Sequence, residues 1–97
     1  MSLPAIAFAM KAQALAEEDQ IITQRLPRGL CLAIKFNPDT RTFHLTISRQ
    51  KTSPSVHERT VIQETFGITP RPTWTPGVAP GEWQLWRTAW KAPVTAE

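Results

Sequence analysis

The chain holds one cysteine, four glycines and no apolar run long enough to span a bilayer. A lone Cys31 excludes an intramolecular disulfide and a Cys-rich zinc site, and it suits a reducing compartment. No glycine-rich phosphate loop, nucleophile elbow or HExxH pair is present, nor any internal repeat or low-complexity tract. The expectation is a non-catalytic, cytoplasmic protein without cofactor, metal or membrane anchor. The start, LPAIAFAMKAQALA, contains Ala-x-Ala triplets of the cleavage-site kind, but it has no basic flank and Lys11 interrupts it. It is therefore expected to belong to the fold and not to a leader.

Ninety-seven residues suit a single domain spanning 1–97 with a modest core. Charge is uneven along it. Residues 21–52 hold Arg25, Arg28, Lys35, Arg41, Arg49 and Lys51 against Asp39 alone, whereas the flanking segments are acidic or neutral. The overall +3 is thus a property of the middle of the chain, and it admits an acidic partner, protein or nucleic acid.

That middle is the most patterned stretch. Leu30, Leu32, Ile34 and Phe36 alternate with Cys31, Ala33 and Lys35, while Phe43, Leu45 and Ile47 alternate with Thr42, His44, Thr46 and Ser48. Between them Asn37-Pro38-Asp39-Thr40 has type I turn chemistry, so 29–49 is expected to form an antiparallel hairpin with one dry and one polar face. With those four residues as the loop, Phe36 would face Arg41, Ile34 Phe43, and Leu32 Leu45. A lone hairpin is marginal in water, so the rest of the chain must cover the dry face.

Residues 3–19 are strong helix formers, with Pro4 tolerated in the first turn. Phe8, Leu15 and Ile22 recur by sevens, beside Ala5, Ala12 and Leu26. This predicts a long N-terminal helix reaching Arg25 whose stripe covers the hairpin; the competing reading ends it near Asp19 and makes 21–26 a strand. Ser55-Val56-His57-Glu58 matches a capping box and Gly67 a C-terminal cap, so a short second helix is expected at about 55–66. Pro70, Pro72, Pro76, Gly77, Pro80 and Gly81 then predict a loop with corners at Pro76-Gly77 and Pro80-Gly81. In 82–90, a helix would stripe Trp83, Trp86 and Trp90 along one side, whereas the preferred strand would place Trp83, Leu85, Arg87 and Ala89 on one face and Trp86, Thr88 and Trp90 on the other. The predicted fold is α+β: a small antiparallel sheet, built from the hairpin and this C-terminal strand, packed against the long helix.

Candidate sites follow from charge and aromatics. Lys35, Arg41, His44, Arg49 and Lys51 with Trp86 and Trp90 are the partner-binding candidates. As a protein-interaction or accessory module, homodimeric through a sheet edge, the chain would use the polar hairpin face and the tryptophans as interface anchors. As a single-strand nucleic-acid binder, the same cations would neutralise phosphates while an indole stacks on bases. The first reading leads. Cys31 and His44 share the polar face, yet no third orienting group accompanies them, and adding His57 leaves a metal set one ligand short. Glu58, Glu64 and Asp39 have capping, helical and turn roles that leave no acid–base pair.

Overall fold

The computed structural model describes residues 2–68 and 73–93. The chain runs α1 (Leu3–Ala16), β1 (Ile22–Arg25), a 3-10 turn at Pro27–Gly29, β2 (Cys31–Asn37), β3 (Thr42–Gln50), α2 (Val56–Phe66), β4 (Thr75–Ala79) and β5 (Trp83–Lys91). The five strands form one antiparallel sheet in the order β1-β2-β3-β5-β4. The α+β expectation, with an N-terminal helix, an antiparallel sheet and a shorter second helix, agrees with this architecture.

The N-terminal helix is shorter than predicted. Ser2 caps its start by accepting from the Ala5 N–H, and the helix stops at Ala16, leaving Glu17, Glu18 and Asp19 beyond its negative end. Asp19 adopts the left-handed conformation and its N–H donates to the Phe36 carbonyl, which turns the chain back along β2. Ile22 then faces Ile34 and Arg25 faces Cys31, so 22–25 is an edge strand and not a helical extension. The β-branched Ile22 and Thr23 favour that state once β2 offers a partner.

The stripe that α1 buries also differs from the heptad Phe8–Leu15–Ile22. Ile6, Ala7, Met10 and Ala14 face the core, while Phe8 is 75% and Leu15 43% exposed. Apolar residues surround this helix, so periodicity alone does not select its inner face.

The central hairpin forms with a register two residues from the expected one. Phe36 faces Phe43, Ile34 faces Leu45 and Leu32 faces Ile47, with Asn37–Thr42 as the last pair. The Asp39 N–H donates to Asn37 Oδ1 at 2.9 Å as the turn chemistry requires, but the loop is 38–41 and Arg41 takes a left-handed φ of 54°. A two-residue shift keeps every side chain on its face, so alternation could not distinguish the two registers.

Helix α2 carries both bonds of its capping box: Glu58 N–H to Ser55 Oγ at 3.1 Å and Ser55 N–H to Glu58 Oε1 at 2.9 Å. Gly67 closes it in the left-handed conformation. Part of the segment expected as a loop is strand. Thr75–Ala79 pairs with β5, and Pro76-Gly77 lies inside that edge strand and not at a corner. The Pro80-Gly81 turn does reverse the chain, with Gly81 at φ 76°. Pro70 and Pro72 lie outside the described residues.

Both helices lie on one face of the sheet. α1 crosses β1 and β2 and touches α2, which meets the sheet through Glu58 and Arg59. The buried residues form one cluster, from Ile6 and Met10 through Leu32, Ile34, Leu45 and Ile47 to Ile62 and Phe66.

Candidate functional site

Alternation along the strands divides their side chains between a covered face and an open one. Leu32, Ile34, Phe36, Phe43, Leu45, Ile47, Thr88 and Trp90 lie under the helices. The open face is written in rows across the sheet: Thr23, Ala33, Thr46, Arg87 and Thr75 in one, Arg25, Cys31, Ser48, Leu85 and Gly77 in the next. Lys35, His44 and Ala89 form a third row, and Asn37, Thr42 and Lys91 a fourth. Gln50, Trp83 and Ala79 close the other end.

Charge on this sheet has one sign. The five strands carry Arg25, Lys35, Arg49, Arg87 and Lys91 and no aspartate or glutamate. Four of the five cations belong to the open face, where Arg25, Arg87 and Lys91 are exposed and Lys35 is half-buried. The floor between them is Ala33, Thr46, Ser48 and Ala89, side chains short enough to let another backbone approach. Leu85 lies over Gly77, where an added Cβ would come within 3.0 Å of Leu85 Cδ1. At the Trp83 end a cleft of 520 Å³ is lined by Arg25, Arg28, Cys31, Arg49, Gln50 and Trp83.

The predicted candidates separate between the two faces. Lys35 and His44 are cross-strand neighbours on the open side. Arg41 is exposed in the hairpin turn with its guanidinium 5.8 Å from the Phe36 ring centroid, and Lys51 is exposed just past the far end of β3. These two are separated by the length of the strand, about 30 Å. Arg49 sits on the covered side. Its guanidinium makes a bidentate pair with Glu58, and its Nε–H donates to the Arg28 carbonyl at 2.9 Å. That contact lifts Arg49 above its ordinary pKa and draws Glu58 down to about 2. Trp90 is buried against Phe43, ring centroids 5.2 Å apart. Trp86 is half-buried on the covered side, its Nε1–H donating to Ser53 Oγ at 2.9 Å and the Arg59 guanidinium lying 3.7 Å from its ring. Neither indole flanks Lys35 or His44.

Cys31 faces Ser48 and His44 faces Lys35, four residues apart along the hairpin, so the thiol and imidazole do not meet. Among the described residues, no three His, Cys, Asp or Glu side chains gather, and no helix is long and apolar enough to cross a membrane.

The reading from sequence overlooked Arg25, Arg87, Lys91 and Trp83 as members of a common surface. The signal for three of them was present: the alternation in 82–90 set Trp83 and Arg87 opposite Trp86 and Trp90, and Lys91 continues the pattern. What was missing was the pairing of that strand with the polar side of β3.

No family model matches the chain, and no curated protein or solved structure matches it significantly.

Proposed function

We propose that the chain is a small, non-catalytic protein-interaction module that seats an acidic polypeptide segment on the open face of its sheet. One wet face is ordinary for an antiparallel sheet. The observation that carries the reading is the complete separation of sign: no carboxylate stands on any strand, and Arg25, Lys35, Arg87 and Lys91 surround a floor of small side chains. Such a field favours encounter with an acidic partner and disfavours basic ones. Half-buried Trp83 and Leu85 supply apolar anchorage at one end, where tryptophan is a common hot spot. The lone thiol accords with a cytoplasmic setting.

Single-strand nucleic acid is the second reading, favoured by the cleft in which Arg25 and Arg28 stand near Trp83. It ranks lower because the open face presents one indole among the described residues, with the His44 imidazole three rows away, whereas sequence-tolerant binders stack successive bases on several aromatic rings.

The test is titration of the protein with a short acidic peptide and with a single-stranded oligonucleotide. A Lys35→Glu/Arg87→Glu variant is expected to lose peptide affinity at least tenfold, while Arg41→Glu, at the turn, changes it less. Equal affinity in wild type and the double variant would sink the proposal. Preference for the oligonucleotide, with quenching of Trp83, would transfer it to the second reading.

A further inference from the structure

The outer face of α1 is apolar and unpartnered. Ala5, Phe8, Ala12 and Leu15 recur at spacings of three and four, and all four side chains point away from the sheet. Phe8 at 75% and Leu15 at 43% exposure are among the largest apolar surfaces left in water. No charge interrupts them. Lys11, the only charged residue of α1, reaches sideways to donate from Nζ to the Phe66 carbonyl at 3.0 Å. A helix that is apolar on two opposite faces ordinarily has both of them covered.

We propose that this face is the contact surface of a homodimer, in which two α1 helices pack antiparallel about a two-fold axis passing beside residue 10. The order of side chains selects a second copy as the occupant. In that arrangement position 8 meets position 12 and position 5 meets position 15. Each large side chain therefore faces a small one, Phe8 against Ala12 and Leu15 against Ala5, and these two contacts recur on both sides of the axis, four in all. An isologous interface requires this self-complementarity, and large-into-small packing allows the close approach that helix pairs favour. The seam is uncharged, so like copies do not repel.

The size of the contact sets its strength. A helix of 14 residues is roughly 21 Å long and 10 Å wide, so the pair buries a few hundred Å² per copy, less than the ~800 Å² of a standard interface. The dimer is consequently weak and reversible. Because α1 lies on the covered side of the sheet, the two open faces point outward in the dimer, and an acidic partner with two segments would be held bivalently.

Sedimentation equilibrium of the whole chain tests this. The weight-average mass is expected to rise from one chain toward two between about 10 µM and 1 mM. Phe8→Glu and Leu15→Glu each replace an exposed side chain and should hold the mass at one chain with unchanged far-UV circular dichroism. Phe8→Ala should weaken the dimer, and adding Ala12→Phe should restore it, because the swap again sets a large side chain against a small one across the axis. A wild type that stays monomeric throughout, or a dimer indifferent to both glutamate variants, would overturn the proposal; the latter would place the contact elsewhere, at a sheet edge for instance. Failure of the swap to rescue would overturn the antiparallel pairing. These results are independent of acidic-peptide binding on the open face.

Discussion

Arg49, near the end of β3, and Glu58, in the first turn of α2, form a bidentate ion pair that joins the sheet to the helix covering it. Glu58 also completes the capping box by accepting from the Ser55 N–H. One carboxylate thus starts the helix and docks it.

That dual role gives a pH dependence. The Arg49 contact, with help from Ser55, holds Glu58 at about 2 against an ordinary 4.5, opposed by partial burial. A depressed carboxylate pKa stabilises the fold above the unfolded value, so this contribution is full above about pH 5 and is lost as pH falls from there toward 2. Glu58→Gln keeps a capping-box side chain but removes the charge. It should lower stability by about 1 kcal/mol near neutral pH and remove most of the acid-dependent loss between pH 5 and 2, measured by urea denaturation across that range. Glu58→Ala removes the cap as well and should cost about 2 kcal/mol.

At the other end of α2, Gly67 has φ 67°, with only Lys11 Nζ near the place of a Cβ. Space is available but the conformation is costly for an L side chain. Gly67→Ala should therefore destabilise by about 1 kcal/mol, seen as a lower urea midpoint with an unchanged slope.

The Arg59 guanidinium lies over Trp86, 3.7 Å from the ring centroid, and its Nε is buried without a hydrogen-bond partner. Stacking is then its chief attachment. A double-mutant cycle between Arg59→Ala and Trp86→Leu should give a coupling of about 1 kcal/mol, and Arg59→Ala alone should shift Trp86 emission to the red.

The sequence was most informative where chemistry is local. Ser55 and Glu58 announce a capping box, Gly67 a left-handed cap, and Asn37 its bond to the Asp39 amide, because each depends on residues within four positions. It was least informative where two arrangements satisfy the same local rule. The hairpin register could slip by two without moving Leu32 or Ile34 to the wrong face. Both stripes of α1 are apolar, so Ile6 and Met10 could not be preferred to Phe8 and Leu15 as the buried set. The Ile22–Arg25 strand depends on the β2 edge as its partner. Pro76-Gly77 fits a corner by composition but lies in an edge strand, the place in a sheet where a proline is tolerated. For the candidate site, Lys35 and His44 were placed correctly on the polar side, whereas Trp86 and Trp90 required knowledge of which face of β5 the helices cover.

Replacing two of the open-face cations should leave the fold intact, since Lys35 and Arg87 make no ion pair among the described residues. Lys35→Glu/Arg87→Glu is expected to change the urea midpoint by less than about 0.5 kcal/mol equivalent while reducing affinity for the acidic peptide. A large stability loss would mean that these side chains are structural.

The most direct test of the open face is methyl NMR of the chain titrated with the acidic peptide. Ala33, Thr46, Leu85 and Ala89 report on the open side, Ile34, Leu45 and Ile47 on the core, and Ala12 and Leu15 on the outer face of α1. Progressive shifts confined to the first group are predicted. Shifts centred on α1, with the Ala33 and Ala89 methyls unmoved, would contradict the assignment of the binding surface to the sheet.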